Sequence, residues 1–248
     1  MLLNELCDYN ASLLQTGLFK DYSPNGLQVE GRMEVRRIAT GVSASQYLLD
    51  AAIAWGADAI LVHHGYFWRN EDAAITGIKK RRIARLLDND VSLLAYHLPL
   101  DAHPELGNNA LLGKLLGLTE QGRFGEQNMA FHGFLEHPLT LAQFSMQVEQ
   151  RLQRVPLVIG DGGRMISKVA WCSGGAQGYF EAAVAQGVDA YLTGEISEQH
   201  FHLAQENDVA FVAAGHHATE RQGVQALGEH LAARFGLEHR FFDQQNPV

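Results

Sequence analysis

The sequence predicts an α/β fold made of two related α/β halves, with layered sheets and helices packed on their faces. An internal duplication is the first sign. The stretch RIATGVSASQYLLDAAIAWGADAILVHH (37–64) aligns without a gap on KVAWCSGGAQGYFEAAVAQGVDAYLTGE (168–195). Identities include Ala39/Ala170, Gln46/Gln177, Ala51/Ala182, Ala52/Ala183, Gly56/Gly187, Asp58/Asp189 and Leu61/Leu192. The second sign is the order within each copy: strand, loop, helix, glycine, strand. That order implies parallel pairing with helices covering the sheet.

Taken along the chain, the opening MLLNELCDYNASLLQ reads as an amphipathic helix followed by GLQVEG. Its looser counterpart is LTLAQFSMQVEQRLQ followed by PLVIG. The strands AILV and AYL are short, apolar and rich in β-branched or aromatic residues. The helices before them end near Gly56 and Gly187, which suits a left-handed helix terminus. NDVSLLAYH (89–97) then resembles NDVAFVAAG (207–215) as a further strand. GNNALLGKLLGL (107–118) resembles GVQALGEHLAARFGL (223–237), each a helix closed by Gly-Leu. The expected halves are residues 1–122 and 123–248, with the segment 200–248 packing back on the first. No low-complexity linker separates them.

Composition sets outer limits. The 248 residues are 46% hydrophobic and 19% charged, an ordinary globular balance. A formal charge of −9 counts against sequence-independent nucleic-acid binding. The one basic run, Lys79–Arg82, reads as a solvated helix face. Two cysteines, Cys7 and Cys172, cannot build a disulfide framework or a thiolate cage, and suit a reducing compartment. No apolar run approaches the roughly 18 residues of a membrane span. The N-terminus lacks the basic start of a signal peptide. The expectation is a cytoplasmic chain with no membrane partner.

The polar residues fall at strand ends. AILV runs into His63-His64-Gly65. SLLAY runs into His97 and then LPLD, which delivers Asp101 in a constrained loop after Pro99. DAYLTG ends in Glu195, and VAFVAAG in His216-His217-Ala218-Thr219-Glu220. Ligands of open parallel α/β sheets bind beyond the carboxyl ends of the strands. His216 and Glu220 are four apart where the chain enters a helix, so they share a face. Consecutive strand residues point to opposite faces, so His63 and His64 chelate a single ion poorly but can splay toward two at a strand end.

His63, His64, Asp101, His216 and Glu220 offer three imidazoles and two carboxylates. That is too few for two closed tetrahedral shells. It suits two metals about 3.5–4 Å apart with a bridging carboxylate and open positions for water. The expected place is the interface of the halves, because both contribute. Imidazole with carboxylate admits two divalent ions of Zn, Fe, Mn, Co or Ni without distinguishing among them. His97, Glu195 and His217 are candidates for orienting the ligands or for acid–base catalysis. Tyr66, Phe67 and Trp68 could stack a base, or could pack in a core or a subunit interface. The glycine-rich SGGAQG (173–178) could receive an anion at a helix start or serve only in loop packing.

Read together, SPNGLQVEG (23–31), TGVSAS (40–45), GADAILVHHGYFW, HLPLDAHPELGNNA (97–110), TGEISEQ (193–199) and AAGHHATER (213–221) resemble the Nif-three-like family. Its bacterial members are often named GTP cyclohydrolase 1 type 2 homologues. The match spans nearly the whole chain and is similar to a short bacterial member without an inserted domain. The resemblance implies a dinuclear metal site: His64 and Asp101 on one metal, His63 and His216 on the other, Glu220 bridging. It also implies a toroidal homohexamer. The function expected is a metal-dependent hydrolase acting on a nucleotide, with GTP suggested by the family name. The alternatives are a nucleotide phosphoesterase, or a non-enzymatic metal-loaded ring that binds a protein or nucleic-acid partner.

Overall fold

The computed structural model describes residues 1–248. Its first elements are α1 (Leu3–Leu13), β1 (Gly26–Val29), β2 (Arg37–Ser43), α2 (Gln46–Trp55), β3 (Ala59–His64), α3 (Gly77–Leu87), β4 (Ser92–Ala95) and α4 (Leu98–Ala102). Then come α5 (Asn108–Leu115), β5 (Leu118–Phe124), β6 (Ala130–Thr140), α6 (Leu141–Leu152), β7 (Leu157–Ile159), β8 (Met165–Trp171), α7 (Phe180–Ala185) and β9 (Ala190–Thr193). The chain closes with α8 (Gln199–Asn207), β10 (Ala210–Ala213), α9 (His216–Thr219), α10 (Arg221–Phe235) and β11 (Glu238–Phe241).

The strands form two sheets, ordered β1-β4-β3-β2-β11 and β5-β6-β8-β9-β10-β7. In the first, β4, β3, β2 and β11 run parallel and β1 closes the edge antiparallel to β4. In the second, β8, β9 and β10 run parallel, β7 lies antiparallel to β10, and β5 and β6 extend the other side antiparallel. The run β1-β4-β3-β2 thus has the same order and directions as β7-β10-β9-β8. This is the duplication expressed as topology, including the loosely matched opening helix and edge strand.

Hydrogen bonds repeat atom for atom. Asp58 Oδ2 accepts the backbone N–H of Arg36 and Arg37 at 2.8 and 2.9 Å. Its counterpart Asp189 Oδ2 accepts those of Ser167 and Lys168 at 2.9 and 2.8 Å. Each carboxylate therefore clamps the backbone just before parallel pairing with β3 or β9 begins, at Ile38 in one copy and Val169 in the other. Gly56 and Gly187 end α2 and α7 at φ 82° and 66°, where a Cβ would be strained. Asp90 and Asp208 both turn left-handed before the next strand, at φ 56° and 51°. Tyr96 N–H reaches the Val62 carbonyl as Ala214 N–H reaches that of Thr193.

The central strands β3, β4, β9 and β10 are buried nearly throughout, which is why they read as unbroken apolar runs. In the first sheet, Leu48, Leu49 and Ala52 of α2 and Ile83 and Leu86 of α3 pack with Ile60, Val62 and Leu93. The second sheet is covered on both faces. Leu141, Phe144 and Val148 of α6 join Trp171, Leu192 and Val212 in one cluster. Phe180, Ala183 and Ala204 join Tyr191 and Phe211 in another. The basic run lies on α3, with Lys80 and Arg81 exposed beside buried Ile83 and Leu86.

The chain forms two compact units, residues 1–100 with 223–245, and residues 101–222 with 246–248. These bounds differ from the halves at 1–122 and 123–248. The reason is an exchange of closing elements. The helix and strand that finish the first copy, α5 and β5, belong to the second unit, where β5 pairs with β6. Those that finish the second copy, α10 and β11, lie largely in the first, where β11 pairs with β2. Repeat boundaries follow ancestry, whereas compact units follow hydrogen-bonded neighbours. Asp58→Ala and Asp189→Ala should each destabilise the protein by about 2–3 kcal/mol, the scale of losing hydrogen bonds to a charged acceptor. Urea unfolding midpoints measure this, and a loss at only one site would break the equivalence.

Candidate metal centre

In the first unit the relevant side chains stand at the carboxyl ends of β3 and β4. His63 is fully buried. Its Nδ1 lies 2.9 Å from the Tyr96 carbonyl, which can only accept, so Nδ1 carries the proton and Nε2 the lone pair. His64, half-buried, has its Nδ1 3.2 Å from Ser43 Oγ. Although consecutive side chains leave a strand on opposite faces, β3 ends here and the two rings lie only 4.6 Å apart. His97 joins them at 5.1 Å from His63 and 5.7 Å from His64. One ligand nitrogen from each of His63, His64 and His97 lies within 4.8 Å of the others, a grouping able to hold a metal ion.

His97 is fixed from behind. Asp21 Oδ1 lies 2.7 Å from its Nδ1, and the His97 N–H donates to Asn25 Oδ1 at 2.8 Å. Burial raises the Asp21 pKa, but hydrogen bonds from His97, Asn25 and the Leu98 N–H outweigh it and bring the value down to about 2. Trp68 meets the His97 ring edge-on at 5.0 Å, its own Nε1 donating to the Gly65 carbonyl. Gly65 lets the chain pass Gln28, since a Cβ there would stand 2.2 Å from Gln28 Oε1. The aromatic triplet divides. Tyr66 is buried with its hydroxyl donating to the Ala44 carbonyl, Phe67 turns outward at φ 65° under Lys79, and Trp68 alone reaches the imidazoles.

In the second unit Asp101 lies in the single helical turn α4, not in the loop expected after Pro99. Proline fits the start of a helix as well as a turn. Its carboxylate is buried, and Oδ1 accepts from Asn108 Nδ2 at 2.8 Å and from Ser173 Oγ at 3.2 Å. His216 opens α9, and Glu220 follows its last residue, buried. The spacing of four brings His216 Nε2 to 3.2 Å from Glu220 Oε2. Glu195, at the strand end equivalent to His64, takes His216 Nδ1 at 2.6 Å. Burial lowers the His216 pKa, but Glu220 and Glu195 together raise it to about 9. A cation at Nε2 must therefore displace a proton. His217 is half-buried, and its backbone N–H goes to the Val248 carbonyl.

The glycine-rich stretch 173–178 is loop packing that shapes this cluster. Gly174 adopts φ +68°, and a Cβ there would fall 2.1 Å from Glu220 Oε1 and 3.2 Å from His216 Nε2. Its N–H donates to Thr219 Oγ1, and its carbonyl accepts from Thr193 Oγ1 and the Gly194 N–H. Ser173 N–H is held by Asn109 Oδ1 at 2.7 Å. Cys172 is buried, and burial pushes its thiol far up, so it offers no thiolate. Asp21, Asn25, Asn108, Asn109 and Thr219 bear no mark of a site role in the sequence, and Ser173 and Gly174 do so only within SGGAQG, with an anion or loop packing as the alternatives. The motifs around NGLQ, GNNA and SGG were visible, but nothing in one sequence says which side chain a turn aims at a ligand.

A profile of the Duf34/NIF3 family (NGG1p interacting factor 3) matches residues 1–247. A Pseudomonas aeruginosa protein named GTP cyclohydrolase 1 type 2 homolog is 54% identical over 249 residues, 99% of this chain and 98% of its own. A Neisseria meningitidis serogroup B protein of the same name is 57% identical over 235 residues, 95% of this chain and 94% of its own. Among solved structures, the protein ybgI superposes with a TM-score of 0.97 at 48% identity, over the whole of both chains. The Thermus thermophilus protein TTHA1606 superposes at 0.90 with 33% identity, again over both whole chains. HcgD from Methanocaldococcus jannaschii shares the fold, with a TM-score of 0.83 at 22% identity over 97% of each chain.

Gly174→Ala should cost about 1–2 kcal/mol from its left-handed backbone alone and displace Glu220 as well. Gly178→Ala, where nothing lies within 4 Å of the added carbon, should leave the unfolding midpoint near the parent value. Equal midpoints for the two variants would contradict the crowding at Gly174. Asp21 sets an acid limit. Its folded pKa of about 2 lies below the ordinary value of 3.8, so its contribution is complete above about pH 4 and lost as pH falls toward 2. The melting temperature of Asp21→Asn should therefore fall less steeply than the parent's across that window.

Proposed function

Because the chain belongs to the Duf34/NIF3 family, we propose that it is a dinuclear metal hydrolase acting on a nucleotide. In this reading His63, His64, Asp101, His216 and Glu220 hold two divalent ions. The observation that carries it is the preparation of the imidazoles. His63 and His216 each have Nδ1 engaged by an oxygen, the Tyr96 carbonyl and the Glu195 carboxylate. That outer contact fixes ring orientation and assigns Nε2 to the cation, as in many histidine metal sites. Asp101 and Glu220 support it further as buried carboxylates already held in place, Asp101 by Asn108 and Ser173 and Glu220 against His216, and carboxylate oxygens suit a divalent ion. The donor set is imidazole and carboxylate, which suits Zn, Fe, Mn, Co or Ni.

Bound in pairs, such ions lower the pKa of water and supply hydroxide near neutral pH. The protein's own part is orientation. Glu195 holds the Nδ1 proton of His216, Asn108 and Ser173 fix the Asp101 carboxylate, and Gly174 leaves room for Glu220. The relatives' name suggests GTP, with water attacking the imidazole ring of the purine and formate leaving. The family's description as an interacting factor supports a second reading, a metal-loaded protein that serves a protein partner.

His64→Ala and Glu220→Ala should each remove most bound metal, read by elemental analysis, while circular dichroism keeps its helical signal. Unchanged metal in both would sink the ligand assignment. The metal-reconstituted protein should release formate from GTP. Phosphate without formate would point to a phosphoesterase instead, and neither product from any nucleotide would favour the partner-binding reading.

A further inference from the structure

The stretch Asp21–Gly26 does more than begin the first sheet. Both oxygens of Asp21 are committed to donors. Oδ1 takes the Tyr22 N–H at 2.6 Å and faces His97 Nδ1 at 2.7 Å. Oδ2 takes Asn25 Nδ2 at 2.8 Å and the Leu98 N–H at 2.9 Å. A carboxylate receiving that many donors is ionised and can only accept. The nitrogen of His97 that faces it must then be the one that carries a proton. The Asp21 side chain is only 4% exposed and His97 15%, so neither is free to turn. Trp68 stands against the ring, T-shaped at 5.0 Å, and the His97 backbone N–H is held by Asn25.

We propose that Asp21 is a positioning residue: it locks His97 as the Nδ1–H tautomer, so that Nε2 presents a lone pair beside His63 and His64 and there accepts a hydrogen bond from the attacking water. The water-orienting step rests on the reading of His63 and His64 as ligands; the tautomer stands on Asp21 alone. The pattern is that of a buried aspartate holding a catalytic imidazole, in which the aspartate aligns the ring and does not itself take the proton. Asparagine at 21 would keep the shape and invert the polarity. With its single oxygen kept on Leu98 and Asn25, its NH2 would give up the Tyr22 N–H contact and face His97 Nδ1, driving the ring proton to Nε2. The lone pair would then be lost from Nε2.

The test begins with the metal-free full chain labelled with 15N-histidine. Long-range proton–nitrogen NMR spectra at pH 8, assigned by loss of signals in His97→Gln, report the tautomer directly. The parent should show His97 protonated at Nδ1 and not at Nε2, and Asp21→Asn should shift the population to Nε2–H. An Nε2–H tautomer in the parent overturns the proposal without any variant, so a poorly folded Asp21→Asn does not protect it. Metal content should be unchanged in Asp21→Asn and His97→Gln. Loss of metal in His97→Gln would make His97 a ligand and overturn its role as acceptor. With GTP as probe and formate as readout, Asp21→Asn should lower kcat by about 100-fold or more with little change in KM. An Asp21→Asn tautomer shift with parental kcat would overturn the positioning role. If the parent releases no formate from GTP, the functional reading fails, and the NMR result alone decides whether Asp21 sets the tautomer.

Discussion

Burying histidines and carboxylates at the ends of parallel strands is the constraint on which the rest of this structure depends. His63 is fully buried, and Asp101 and Glu220 nearly so. An ionisable group removed from water must be given partners or it will not stay charged. The surroundings supply them one at a time: a carbonyl for His63, an amide and a hydroxyl for Asp101, an imidazole for Glu220. Much of the irregular backbone nearby exists for this purpose. Gly174 is left-handed and lacks a side chain where Glu220 approaches, and Gly65 leaves room for Gln28. The loops are shaped by what they must satisfy.

Duplication explains how such a scaffold is available twice. Asp58 and Asp189 clamp the same two backbone N–H groups in each copy, and the left-handed aspartates before β4 and β10 repeat the same turn. The frame was kept while the strand-end residues diverged. Where one copy has His64, the other has Glu195, which serves an imidazole through a hydrogen bond. The two copies also exchange their closing elements, β5 pairing in the second sheet and β11 in the first. The symmetry of the sequence is therefore not the partition of the compact units.

Much of the fold was legible in the sequence, for definite reasons. Ungapped identity preserved the strand–helix–strand order, and Gly56 and Gly187 marked helix ends because few other residues tolerate those dihedrals. Central strands read as apolar runs because both their faces are covered. Of the candidate site, the imidazoles and carboxylates stood out by residue type and by their place after strands. Their supports did not. Asn108, Ser173 and Thr219 are common turn and helix residues, and a hydroxyl or amide gains a role only through the atom it faces.

By itself, the sequence determined the pattern of elements, the repeat and the residue types capable of binding a metal, because these depend on local periodicity and on side-chain chemistry. Only the tertiary structure decided which nitrogen of His63 offers its lone pair, that Asp21 rather than a nearer residue holds His97, and that Trp68 alone of Tyr66, Phe67 and Trp68 reaches the imidazoles. Those outcomes depend on distances between residues far apart in the chain. A hydrogen bond acts over about 3 Å in a preferred direction, and composition carries neither the distance nor the direction.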